Sequence, residues 1–179
     1  MNMNKVIIRN ANLLLNYEEF TKNFVSMTVF SLLDFYADYD QMKLNEESRN
    51  MTVFQTLLSL LKMITIFMRI MNLIEQFVRT MQYILVKHIF HDTVIYLNDV
   101  RVKNLKIKYN DEKMSSKIRK YILKHLQHLN QVLMSIELSD TKLNKEKSQF
   151  CQSEIVIVRY ACNYDERHSE ATKVTKIVN

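Results

Sequence analysis

A chain of 179 residues without one glycine or proline must reverse direction on side chains that resist it. Glycine enters left-handed backbone at no steric cost, and proline presets tight turns. Ordinary usage would supply roughly a dozen glycines and about nine prolines over this length. Asn, Asp, Ser and Lys have to make the turns instead. The sequence therefore predicts strained turns, or a fold less stable than its hydrophobic content suggests. Gly codons become Asp, Glu, Ser or Arg codons through G-to-A changes, and Pro codons become Ser or Leu codons through C-to-T changes. Met, Ile, Asn, Lys, Tyr and Phe, all plentiful in this chain, are what such drift accumulates. Decay of the gene by biased transition and an AT-rich genome both fit this composition.

With 47% hydrophobic and 25% charged residues the chain is otherwise ordinary for a soluble domain with a real core. Its net charge of +6 is local, because Arg101 to Lys124 holds nine Lys/Arg against Asp111 and Glu112. That segment permits a nucleic-acid partner and equally suits a solvated face. Cys151 and Cys162 make no disulfide scaffold and read as reduced thiols of an intracellular protein. No signal peptide is visible. The most apolar stretch, 57–74, is interrupted by Lys62 and Arg69 and is too broken for a membrane span, so no membrane partner is expected.

Periodicity predicts alternating elements. Residues 5–11 read as a short strand and 16–24 as a short helix with Asn16 as a possible N-cap. Residues 27–35 form an apolar strand ending near Asp34, and 51–67 fit two short strands better than one helix. Apolar residues from Ile70 to Leu85, with His88 beyond them, recur at helical spacing, as do those from Ile118 to Ile136. Between the two stripes, "TVIYLNDVRV" (93–102) places Asn98 and Asp99 inside a β-forming run, as a hairpin would. Residues 154–161 read as a last strand. Helices between locally pairing strands argue an α+β class.

Asp34 and Asp99, each at the end of an apolar strand, are a candidate Mg²⁺ pair, since a hard cation takes oxygen ligands held on rigid elements. Either could equally be a turn residue. His88 and His91 lie three apart, the second past the helix. Cys151, Cys162 and His168 lack the close pairing of a structural zinc site.

The order of these segments resembles the reverse transcriptase domain of gypsy-like long-terminal-repeat retrotransposon polyproteins over nearly the whole chain. "FSLLDFYADYDQMKL" is similar to the first motif, F-S-x-L-D-x-x-x-G-Y-x-Q-I. "MTVFQT" is similar to T-A-F-x-T, and "MITIFMRIMNLIEQFVRTM" to the segment M-P-F-G-x-x-N-A-P-x-x-F. "VIYLNDVRVKN" resembles the Y-x-D-D hairpin. "HLQHLNQVLMSIELSDTKLNKEKSQF" resembles the helix and strand ending L-N-x-x-K-C-x-F, and "EIVIVRYACNYDERHSEATKVTKI" the F-L-G-H-x-V-S-x-x-G-I segment. Asp38, Arg69 and Glu166 stand where that family has Gly, and Phe67 where it has Pro. These are transition-type replacements and favour gene decay over an AT-rich genome.

The resemblance implies an antiparallel palm sheet backed by helices with a partial fingers region. Residues 1–26 would be a remnant of the fingers, 27–165 the palm, and 166–179 the start of the connection toward a truncated thumb. It implies RNA-directed DNA polymerase chemistry on an RNA or DNA template-primer with deoxynucleotides, using two Mg²⁺ ions. Asp34 and Asp99 would be the metal-binding and catalytic carboxylates. Asn98 would be the degenerate member of the paired aspartates, neutral where a charge offsets the metals. Tyr39 would lie under the incoming sugar, Met68 beside the nucleotide, and Lys147 near the leaving pyrophosphate. Arg69 would obstruct that nucleotide pocket. The copy would therefore be impaired or inactive, with a non-catalytic basic nucleic-acid-binding module or a relic as alternatives.

Overall fold

The computed structural model describes residues 3–5, 7–9, 21, 24–68, 70–89, 91–104, 106–114, 117–157 and 160–169. Four strands form the central antiparallel sheet: β1 (Phe30–Asp34), β4 (Thr93–Tyr96), β5 (Asp99–Lys103) and β6 (Gln149–Gln152), in the order β4-β5-β1-β6. Strands β2 (Phe54–Gln55) and β3 (Leu60–Leu61) pair as a separate hairpin. Strands β7 (Ile155–Ile157), β8 (Tyr160–Cys162) and β9 (Arg167–Ser169) make a third sheet. The helices are the short α1 (Glu46–Arg49), α2 (Leu73–Ile84) and α3 (Lys120–Leu138). The class is α+β, an antiparallel sheet backed by helices.

Period-two alternation divides the central sheet. Leu33, Phe35, Ile95, Val100 and Val102 pack against Phe77 and Met81 of α2 and Leu129, Val132 and Ile136 of α3. Phe30, with Leu32, Val94 and Tyr96 packed beside it, belongs to the second cluster with Ile155, Ile157 and Cys162. Fully burying side chains such as Phe77 or Val132 contributes about 1.5–3 kcal/mol each. Among the described residues no helix is long and apolar enough to cross a membrane.

Several boundaries differ from those predicted. The stripe from Ile70 does not begin a helix there, because Asn72 sits at φ 66° and the right-handed coil starts after it. His88 falls in the turn beyond α2 and hydrogen-bonds the Ser135 hydroxyl at 3.0 Å. The expected strand 154–161 is two, β7 and β8, because Ile157 pairs with Tyr160 and the chain reverses between them. Near the N-terminus Met3–Lys5 is a 3₁₀ turn and 7–9 carry no strand, while Val6, Asn10 and Ala11 lie outside the described residues. Of the expected helix 16–24, only Thr21, which is helical, and Phe24 are described.

The missing glycines leave a visible trace. Ser26, Ala37, Asn72, Leu97, Tyr109, Asn110, Asp111, Lys117, Asp140 and Cys151 all have positive φ. The six that are neither Asn nor Asp cost roughly 1–2 kcal/mol each. Together they reach on the order of 10 kcal/mol, comparable with the whole stability of a domain.

Beneath β1, His125 of α3 is fully buried and shares a 2.8 Å hydrogen bond with Ser31, whose Oγ accepts from the Cys151 N–H at 3.1 Å. Its Nδ1 has no hydrogen-bond partner. Burial, and secondarily His128, pulls the imidazole from 6.5 down to about 4. The folded state thus resists a proton that the unfolded chain accepts, so stability is full above about pH 6.5 and is lost as pH falls toward about 4. The loss should total roughly 3 kcal/mol. Urea denaturation at pH 7 and pH 5 checks this: His125→Gln should flatten the pH slope, and an unchanged slope would refute the assignment.

Candidate functional site

Strand β1 brings Asp34 opposite Asp99 as Cα partners across the β1–β5 ladder. Directly opposed residues project to the same face with Cβ atoms about 4.5–5.5 Å apart. That face is the one turned away from α2 and α3, since Leu33 and Val100 beside them enter the helix-side core. Two carboxylates 65 positions apart in the chain thus meet at one end of a strand pair.

The turn that delivers Asp99 is the two-residue loop Leu97–Asn98, closed by the Tyr96–Asp99 pair. Leu97 has φ 55° while Asn98 is not left-handed. Positive φ at the first loop position alone is the type II′ pattern, where glycine is preferred. Leu97→Gly should therefore stabilise the fold by about 1 kcal/mol. A lower or unchanged midpoint in thermal melts would contradict this.

Each acid already has company. Asn98 Nδ2 donates to Asp38 Oδ2 at 2.9 Å, from the 3₁₀ turn Asp38–Gln41 that follows β1. Asp99 Oδ2 accepts from Arg101 Nη2 at 2.8 Å, and Arg101 is only 3% exposed. Burial raises the Asp99 pKa; Arg101 opposes it and Asp38 adds to it. Burial likewise pulls Arg101 below the usual guanidinium range, with Asp99 opposing. Asp34 is largely buried and lies 4.0 Å from the Nζ of exposed Lys147. Its main chain is pinned by the 143–149 segment: Asp34 N donates to Ser148 Oγ at 3.1 Å, and Asn144 N donates to Asp34 O at 2.8 Å. Burial raises the Asp34 pKa, Lys147 lowers it, and Asp38 and Asp99 raise it further.

Tyr39 and Met68 share a largely apolar groove of about 390 Å³ with Ile70, Leu73 and Ile74. The Tyr39 ring stands edge-on to Phe77 with centroids 5.6 Å apart. Burial, then Asp38 and Asp99, push its phenol pKa up. Met68 is 67% exposed. Arg69 lies outside the described residues.

Carboxylate oxygens are the donors Mg²⁺ takes, and Asp34 Oδ2 and Asp38 Oδ1 are buried acceptors without a hydrogen bond. Yet among the described residues no three His, Cys, Asp or Glu side chains are grouped to hold an ion. Asp99 is engaged by a guanidinium, and position 98 presents an amide committed to Asp38. As arranged, these residues do not fit a magnesium pair.

Sequence reasoning missed two participants. Arg101 was legible, because two residues along a strand from Asp99 means the same face. Asp38 as a partner of Asn98 was not, since 60 positions separate them and neither spacing nor periodicity links a post-strand turn to a hairpin tip.

No family model matches the sequence, and no curated protein matches it. Solved structures do match. The foamy viral protease–reverse transcriptase in complex with double-stranded DNA superposes with a TM-score of 0.78 at 16% identity, covering 100% of this chain and 34% of that one. The same type of protein in complex with an RNA/DNA hybrid gives 0.77 at 15% identity, over 99% of this chain and 22% of the other. The native prototype foamy virus protein gives 0.68 at 16% identity, over 92% and 20%. The chain thus spans between a fifth and about a third of the polypeptides it matches. At such identities the likeness defines architecture, and that architecture is the reverse transcriptase fold.

Proposed function

We propose that this chain is the palm, with the end of the fingers, of a gypsy-like long-terminal-repeat reverse transcriptase whose polymerising centre has been dismantled. One observation carries the reading. Asp34 faces Asp99 across β1–β5, as ligands of a shared centre must, while the hairpin tip between them holds Asn98 instead of a second acid. The ancestral reaction is RNA-directed DNA synthesis on an RNA or DNA template-primer from deoxynucleotides. The matched foamy viral proteins, held with an RNA/DNA hybrid or double-stranded DNA, support that class of partner. Residues 27–165 form the palm, 1–26 the fingers remnant, and 166–179 the approach to the thumb.

The losses are chemical and specific. Asn98 offers a neutral carbonyl where the family has a carboxylate, which removes charge that would offset a dication. Asp38, replacing a glycine, captures the Asn98 amide. Arg101 competes for Asp99 from within the same strand. Replacements of Gly or Pro at Asp38, Phe67, Arg69 and Glu166 are the mark of a gene decaying through biased transitions. A loss of several kcal/mol in transition-state stabilisation corresponds to on the order of a thousandfold or more in rate.

Primer extension with Mg²⁺ on RNA and DNA templates tests the reading, with Mn²⁺ binding followed in parallel. The parent protein should give no extension. Asp38→Asn with Asn98→Asp should bind Mn²⁺ at least about tenfold more tightly, by returning an acid to the hairpin tip. Extension by the parent would overturn the claim of lost activity. Equal Mn²⁺ affinity in parent and double variant would overturn the ancestral metal centre.

A further inference from the structure

The connection between β5 and α3, residues 104–119, runs to sixteen residues, where about two to six are usual. It also holds the electrostatic asymmetry of the molecule. Residues 101–124 carry nine of the 25 Lys/Arg and two of the 19 Asp/Glu, leaving sixteen basic and seventeen acidic residues for all the rest. The net positive charge of the chain therefore resides in this segment alone. Arg101 is buried against Asp99 and Lys103 is half-buried, so the outward charge comes from 106–124, with seven cations against two acids.

Four of the seven cations are held in place by side-chain contacts, and Lys106, Lys113 and Lys117 are exposed. Tyr109 acts as a post: Lys124 Nζ donates to its Oη at 2.7 Å and lies 4.6 Å from the ring centroid, and Lys120 Nζ is 5.1 Å from the same centroid. Lys120 also meets Glu112 at 2.7 Å, Arg119 donates to Tyr121 Oη at 2.9 Å, and Lys108 Nζ sits 3.6 Å over the Tyr164 ring. Tyr109, Asn110 and Asp111 are consecutive left-handed residues, φ 51°, 51° and 56°, a strained loop of the kind that clusters at functional sites.

The arrangement works against itself in the isolated chain. The first turn of α3 contains no acid, and Arg119 caps it without a side-chain hydrogen bond. A helix start carries partial positive charge, and Arg119, Lys120 and Lys124 crowd it, with Asp111 3.5 Å from Arg119 and Glu112 2.7 Å from Lys120 offsetting only part of the repulsion. A polyanion would relieve this repulsion.

We infer that the lobe formed by residues 106–114 and 117–124 is a docking surface for the sugar–phosphate backbone of nucleic acid, separate from the acidic site. The lobe leaves β5 at Lys103, which pairs with Phe30, whereas the acids lie at the Asp34–Asp99 end. Four strand steps of about 3.3 Å put roughly 13 Å between those ends. A membrane surface fits less well, because the apolar face of α3 is spent in the core at Leu129, Val132 and Ile136 and cannot lie in a bilayer. The contact reads charge and not sequence, and it stands whether or not the chain polymerises.

Fluorescence anisotropy of the full chain with a short DNA duplex, without Mg²⁺ or nucleotides, tests it. Five unbalanced charges predict a slope of log affinity against log salt of about −4.5. The exposed triple variant Lys106→Glu/Lys113→Glu/Lys117→Glu should cut affinity at moderate salt by about tenfold or more and flatten that slope by about three. The charge-matched Lys62→Glu/Lys87→Glu/Lys145→Glu should change it far less, with both variants melting as the parent does. Equal losses in the two triples would reduce the effect to net charge and overturn the assignment. Unweakened binding by the lobe variant, or tighter binding to phosphatidylserine vesicles than to duplex, would overturn it as well.

Discussion

Asn98→Asp alone should weaken the protein, and adding Asp38→Asn should restore it. The single change replaces an N–H donor 2.9 Å from the Asp38 carboxylate with a second carboxylate. A hydrogen bond to a charged group is lost and a like-charge contact takes its place, at a cost of roughly 2–4 kcal/mol. For a domain of this size that lowers the melting point by on the order of 10 °C. The cost depends on pH with a defined sign. Two facing carboxylates hold a proton in the folded state above their unfolded pKa, so the single variant loses least in acid and most as pH rises past the carboxylate range. Exchanging the two side chains keeps the hydrogen bond and moves only the charge. Urea denaturation of parent, single and double variants decides it: a single variant as stable as the parent, or a double variant no better than the single, would end this account. The obvious one-residue repair of the hairpin is thus disfavoured, because Asp38 has already taken the space.

Removing Asp99 should cost more than removing Arg101. Arg101 is nearly inaccessible, and Asp99 is the carboxylate 2.8 Å from its Nη2. Asp99→Ala withdraws that partner from a buried cation, at roughly 3 kcal/mol. Arg101→Met removes the cation and leaves apolar volume against Tyr96, Leu32 and their neighbours, while Asp99 keeps its 27% exposure to water; its cost should stay below about 1.5 kcal/mol. The double variant should resemble Arg101→Met, which is the signature of coupling. Additive losses in a double-mutant cycle would show the pair to be independent. If the cycle behaves as expected, tests of Asp99 as a metal ligand by simple truncation would report stability first.

The elements with strong periodicity were legible: the strand into Asp34, the 93–102 hairpin, the two amphipathic helices and the pair of short strands in 51–67. Alternation plus a two-residue turn leaves little freedom in register, so Asp99 could be placed at a strand end from sequence. Helix starts were harder, because a left-handed Asn72 cuts the apolar stripe and Asn in a helical pattern does not announce that backbone. The β7–β8 reversal was hidden for a related reason. With no glycine to mark it, "EIVIVRYA" reads as one unbroken β-former run. Partners across the fold, Asp38 with Asn98 and Ser31 with His125, depend on packing that no local pattern encodes.

The β2–β3 hairpin carries a practical cost for anyone handling this protein. Among the described residues no third strand joins it, and Leu57, Leu58 and Leu60 stand out in solvent at its tip and flank. An uncovered apolar ribbon of this kind is a template for its own copies. Lys62 is the nearest charge to interrupt it, so concentrated stocks should cloud and sediment well before the fold itself comes apart.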